Sequence, residues 1–239
     1  MKTAFFKSVL RIGAICCLYV TTTGQKTINV DSSYDIPTKA NAFFMSDGQP
    51  FVNVKFARVV EGSPFFIDRW NKGYISTPDG TRLREISLRL NLVDQQLHYL
   101  KDGQEYVTDQ LFREVLIEDS QMGKLYIFRS GFPAVQHGTN KTYYQALAEG
   151  NILLLKHIRK MISERTPFGS ATSQQSIRNN ETYYIWKKGA MIKVKKDKQD
   201  VLTILEGQKQ KLEAFIDQHR IDLKSEADLI KVVDYYNTL

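Results

Sequence analysis

The chain has 239 residues, of which 42% are hydrophobic, 25% charged and 11% aromatic. Those proportions exclude a disordered or collagen-like chain, and the length excludes a small scaffold dependent on disulfides. The formal net charge is +7 and the chain contains two cysteines, both near its start.

Residues 1–24 read as a secretory signal peptide. Lys2, Lys7 and Arg11 form its positive end, an apolar run extends from Ile12 to Val20, and the small and polar residues Thr21, Thr22, Thr23 and Gly24 follow. The run is too short for a bilayer, which takes about 20 residues, so the sequence predicts no permanent transmembrane anchor. Cleavage is expected near Gly24-Gln25. Cys16 and Cys17 would leave with the signal, and Ile15 before Cys16 argues against lipid attachment. The mature chain would then hold no thiol or disulfide and carry a formal charge of +4. A periplasmic or secreted location follows from this reading.

Residues 25–196 are predicted to be rich in strands. Val52, Val54 and Phe56 alternate, and Gly62-Ser63-Pro64 breaks the chain. The turn signal Pro78-Asp79-Gly80 joins a strand around Gly73 to one in which Ile86, Leu88, Leu90 and Leu92 share a buried face. Ser87, Arg89 and Asn91 fall on the opposite, wet face of that strand. Lys101-Asp102-Gly103 marks a second hairpin, and Val115–Ile117 and Leu125–Phe128 read as further strands.

Tyr143–Ala148 and Ile152–Ile158, separated by Glu149-Gly150-Asn151, form another predicted hairpin. The apolar spacing from Ile152 to Ile162 also fits an amphipathic helix, and periodicity alone leaves both open. Thr166–Asn180, rich in Ser, Asn and Gln, reads as an exposed loop. Tyr183–Trp186 and Met191–Val194 flank Lys187-Lys188-Gly189-Ala190 as a last hairpin.

Residues 197–239 are predicted to be helical. Asp197 is placed to cap a short helix ended by Gly207, Leu212, Phe215 and Ile216 give a second its stripe, and Ser225 with Asp228 opens a third. Helices this short need a surface to pack on. The expected fold class is therefore α+β, mainly antiparallel hairpins or a meander with short C-terminal helices on the sheet, and one domain with it.

Gly62-Ser63-Pro64-Phe65-Phe66, Trp70 with Gly73, Pro78-Asp79-Gly80, Asp228-Leu229-Ile230-Lys231 and Tyr235-Tyr236-Asn237 resemble a family of exported, uncharacterised proteins of Bacteroidota. The resemblance implies an envelope or secreted bacterial protein with strands followed by helices. It brings no activity, cofactor or catalytic residue.

The motifs of several chemistries are missing. His98, His137, His157 and His219 lack zinc-ligand spacing, and Ser130-Gly131 and Gly169-Ser170 do not make a nucleophile elbow. The acids of Glu118-Asp119 would point to opposite faces of a strand. Neither a phosphate-binding loop nor a dinucleotide fingerprint occurs, so no cofactor or metal is expected.

Two features suggest binding instead. In adjacent tyrosine pairs on a strand one ring should face outward, which makes Tyr144, Tyr184 and nearby Trp186 candidates for contact with a sugar or a protein. Lys187, Lys188, Lys193, Lys195, Lys196 and Lys198 lie within twelve residues that contain one acid, Asp197. This segment suits an anionic lipid or glycan, while export argues against nucleic acid. The leading expectation is a non-enzymatic binding module of the cell envelope whose partner is an envelope protein or an anionic glycan or lipid. The alternative is a hydrolase with a site assembled from scattered His, Asp, Glu and Ser residues.

Overall fold

A computed structural model describes residues 48–51 and 55–239. The expected signal and positions Val52 and Val54 lie outside the described residues.

Among the described residues, twelve strands form one sheet, followed by three helices. The strands are β1 (Gln49–Pro50), β2 (Val59–Glu61), β3 (Asn71–Ser76), β4 (Arg82–Asn91), β5 (Gln96–Lys101), β6 (Gln104–Thr108), β7 (Glu114–Asp119), β8 (Lys124–Arg129), β9 (Tyr144–Ala148), β10 (Leu153–Arg165), β11 (Gln174–Lys187) and β12 (Ala190–Val194). The helices are α1 (Lys198–Ile204), α2 (Lys209–Gln218) and α3 (Glu226–Asn237). The spatial order is β1-β6-β5-β4-β3-β7-β8-β9-β10-β11-β12, with β2 beside β11. All pairings are antiparallel except that of β2 with β11, so the fold is α+β with a large, mixed sheet.

Turn chemistry sets the hairpins. Asp102 and Gly103 have φ of 52° and 78°, and Lys188 and Gly189 have 50° and 80°. Positive φ at both centre positions is what a type I′ turn requires, and its twist matches that of the flanking strands. The residues before the glycines carry the cost of a left-handed backbone, which the paired strands on either side impose.

β6 and β7 are separated in space by β5, β4 and β3, yet only residues 109–113 connect them. Phe112, fully buried, is carried by this crossing into a cluster with Leu88, Leu90, Leu97, Tyr99, Val115, Ile117 and Phe128. Its backbone is satisfied locally: its N–H donates to Tyr143 Oη at 3.2 Å, and its carbonyl accepts from Ser130 Oγ at 2.6 Å. Ser130 thus serves the crossing.

A second cluster joins sheet and helices. Leu154, Ile185 and Val194 pack with Val201, Leu202, Leu205, Leu212, Ile216, Leu229, Val232 and Val233. Asp197 Oδ1 caps α1 by accepting from Asp200 N–H at 2.8 Å, as its position suggests. Ser225 Oγ accepts from Asp228 N–H, but Asp228 accepts from Asp222 N–H, so the reciprocal half of a capping box is absent. At the far end of α3, Asn237 receives the Ile152 N–H at 3.0 Å and donates to the Ile152 carbonyl at 3.2 Å.

The hairpin reading of Tyr143–Ala148 and Ile152–Ile158 holds over the helical one: β9 and β10 are antiparallel strands, and β10 pairs with β11 over thirteen successive positions. Two expectations are corrected. The pairing of β10 with β11 also makes strand of residues 174–180, which composition assigns to a loop; the loop is shorter, residues 166–173. Lastly, the side of β4 expected to be wet is largely covered. Phe66 N–H donates to the Leu90 carbonyl at 2.8 Å and Leu92 N–H to the Pro64 carbonyl at 2.9 Å, so the chain from Pro64 pairs with the end of β4. Asn91 is buried there, and Arg89 lies under the rings of Phe65 and Trp70, 3.8 and 4.2 Å from their centroids.

Candidate functional site

The tyrosines expected to face outward do not. Tyr144 is 0% exposed and Tyr184 3%, and their partners Tyr143 and Tyr183 are buried as well. Strand alternation does send each pair to opposite faces, but this part of the sheet is covered on both. Helices cover one face; the segment after β8, through Phe132 and Val135, covers the other.

On that second face Tyr144, Phe132, Leu155 and Tyr184 make a cluster with Leu153, Trp186 and Met191 at its margin. The Tyr144 ring centroid lies 5.6 Å from that of Phe132, 6.0 Å from Tyr184 and 5.1 Å from His157. Its hydroxyl is buried without a hydrogen-bond partner, and burial, with the Tyr184 hydroxyl nearby, pushes its pKa up to about 12. Gly138 sits close over it: a Cβ there would come within 2.3 Å of this hydroxyl, so any larger residue would have to displace the Tyr144 ring. Trp186 remains partly open. It pairs across strands with Met191, and Tyr184 pairs with Lys193, which puts these four side chains on one face.

The lysine segment divides by role. Lys187 Nζ donates to the Ile204 carbonyl at 2.9 Å, and Lys196 Nζ sits 3.7 Å from the Tyr183 ring centroid. Lys198 pairs with Asp217 at 2.5 Å. These three hold helices to one another and to the sheet. Lys188, Lys193 and Lys195 are exposed. Trp186 and Lys193 therefore share one face of β11 and β12 with Tyr184, whose ring packs against Tyr144, while Lys187 and Lys196 serve the other face.

Below the helices, Lys156 Nζ lies 3.0 Å from Glu181 and 2.8 Å from Glu226, and Tyr183 Oη donates to Glu226 at 2.6 Å. Desolvation opposes both charges, but the two carboxylates hold Lys156 above its ordinary pKa, and Lys156 and Tyr183 hold Glu226 below its own. This closed network anchors the start of α3 to β10 and β11.

A second polar cluster was not anticipated. His98 Nδ1 lies 2.7 Å from Glu105 Oε1, which also accepts from Arg89 at 2.7 Å. The Phe51 and Phe65 rings pack against the imidazole at 4.6 and 4.9 Å, and Nε2 has no hydrogen-bond partner. Burial lowers the His98 pKa, and Glu105 opposes that shift only in part. A carboxylate-oriented imidazole is the usual arrangement of a general base. Here Nε2 meets aromatic rings, and no hydroxyl or acid among the described residues reaches it. The Lys101–Gln104 pairing of the predicted hairpin puts His98 and Glu105 diagonally on one face, so the sequence did hold this signal.

Among the described residues no group of three His, Cys, Asp or Glu side chains is placed to hold a metal ion. No helix among them is long and apolar enough to cross a membrane. Glu118 and Asp119 diverge as expected: Glu118 is exposed, while Asp119 is buried and paired with Arg69. Comparisons of the chain with protein-family models, with curated proteins and with solved structures found no match.

Proposed function

We propose that the protein is a non-enzymatic binding module of the bacterial cell envelope that takes an anionic glycan on the β12 face. One observation carries this reading: a partly open indole, Trp186, on the same sheet face as exposed Lys193 and packed in the cluster of buried Tyr184 and Tyr144. A flat aromatic surface offers a sugar ring an apolar partner, and an adjacent cation selects a carboxylate or sulfate on it. Lys188 and Lys195 extend the positive rim. The signal pattern at residues 1–24 and the family resemblance support the envelope as its place.

The test is titration with a uronic-acid oligosaccharide, followed by tryptophan emission and calorimetry. Binding is expected, with a loss of about tenfold or more for Trp186→Ala or for Lys193→Ser. Failure of the parent to bind, or equal binding by both variants, rejects the glycan reading. The hydrolase alternative has only the His98–Glu105 pair in its favour, and its chemistry needs a hydroxyl or water within reach of Nε2.

A further inference from the structure

β10 and β11 outrun their neighbours. β9 pairs with β10 only at Leu154–Lys156, and β12 pairs with β11 only at Tyr183–Lys187. The remaining halves continue as a ribbon ending in loop 166–173, with β2 alongside at Gln175 and Ser176. One face of this ribbon is used by the fold: Ile158 and Ile177 are buried, Lys160 donates to the Ser63 carbonyl at 2.8 Å, and Glu164 pairs with Arg58 at 3.0 Å.

The other face has no such use. The register places Arg159 opposite Asn180, Met161 opposite Arg178, Ser163 opposite Ser176 and Arg165 opposite Gln174, without a bulge. All eight side chains therefore share one face. The eight include three arginines and no acid, and none of the three arginines forms an ion pair among the described residues. Glu61, the register partner of Ser176 on β2, adds one acid at the edge of this face. The apolar side chains here are also open to solvent: Met161 is 37% exposed, Val60 65%, and Phe168, in the end loop, 108%. Phe168 therefore touches nothing in the fold.

We infer that this ribbon is a docking arm for an anionic lipid surface, with the arginines in the headgroup layer and Phe168 in the acyl boundary beneath. The order of the groups carries the inference. Phe168 lies three residues beyond Arg165, at the turn that Ser170 N–H closes on the Pro167 carbonyl, a reach of at most about 10 Å, and interfacial side chains enter a bilayer to a depth of roughly 5–10 Å. Cations on the shoulder with a lone apolar ring past them match the sequence of layers met on entering a membrane. A nucleic-acid strand would need successive stacking rings between the cations, and the arm presents one. The arm is distinct from the Trp186 patch, so the two proposals stand or fall separately.

The experiment is co-sedimentation of the full protein with vesicles of phosphatidylcholine alone or mixed with phosphatidylglycerol, at low and high salt. Binding is expected only to the mixed vesicles and is expected to weaken with salt. At about fivefold for each cation near the surface, the variant Arg159→Ser/Arg165→Ser/Arg178→Ser should lose on the order of 100-fold in affinity. Phe168→Ser should lose about tenfold at both salt concentrations. In Phe168→Trp, the added emission should shift to the blue on the mixed vesicles. Arg165, Phe168 and Arg178 are exposed and Arg159 is half-buried, and circular dichroism checks that each variant keeps the parent fold. No binding to mixed vesicles, binding unaffected by the arginine variant, an unshifted Phe168→Trp signal, or binding of a single-stranded oligonucleotide in place of vesicles would each overturn the proposal. Loss of vesicle binding on replacing Lys188, Lys193 and Lys195, with the arginine variant intact, would overturn it in favour of the lysine rim.

Discussion

His98 and His157 are both buried, and both are held toward the neutral form, chiefly by desolvation. At His157 the charge of Arg159 and that of His137 add to the effect; at His98 Arg89 adds to it while Glu105 and Asp94 oppose it. A histidine whose pKa falls on folding is charged more readily in the unfolded chain. Its contribution to stability is therefore present above the unfolded value, about 6.5, and is lost as the pH drops below that value toward the folded one. The urea midpoint is expected to fall on going from about pH 7.5 to about pH 5.5, and His157→Gln should flatten that dependence. A midpoint constant over this range, in parent and variant alike, would contradict the burial of both rings. The same two residues show what the chain discloses: histidine spacing ruled out a local zinc motif, but it did not tell that Tyr144 covers His157 or that Phe51 and Phe65 cover His98. Those contacts join residues distant in sequence.

At the scale of elements, α3 is fastened at both ends. Its start is held by the Lys156–Glu226 network and its last residue, Asn237, by two hydrogen bonds to Ile152. Ile152 is 2% exposed, so its backbone groups would be left poorly solvated by loss of Asn237. Asn237→Ala is expected to cost about 1–3 kcal/mol, read from the chemical-denaturation midpoint. Asn237→Asp, which keeps the acceptor and loses the donor, should fall between alanine and the parent. The hairpins and helices were legible because glycine-bearing turns, capping residues and apolar stripes are local signals. The β10/β11 ribbon was not. Gln174–Asn180 looks like a loop from its composition, and only the facing strand, with Ile162 opposite Ile177, makes it extended. The lysine cluster misled for a related reason, since sequence proximity cannot tell Lys187, aimed at the Ile204 carbonyl, from exposed Lys188.

The sheet carries two large clusters side by side. β10 contributes Leu154 to the helix-covered one and Ile158, four residues on and on the same face, to the one around Phe112. A strand rooted in both couples them, because neither cluster can open without exposing side chains fixed by the other's backbone pairing. The described residues are accordingly expected to unfold in one transition, with calorimetric and van't Hoff enthalpies equal. Leu229→Ala, in the helix-covered cluster, and Leu90→Ala, in the other, both remove a side chain that is 0% exposed. Each is expected to cost about 2–5 kcal/mol and to move the same single transition. If Leu229→Ala instead split off an early transition carrying the helical signal while Leu90→Ala lowered only a later one, the shared strand would not couple the clusters. The helices would then be a separable layer. Phe168, in the end loop of the arm, lies outside both clusters, so Phe168→Ser should leave this transition where it is, which allows its surface role to be read apart from stability.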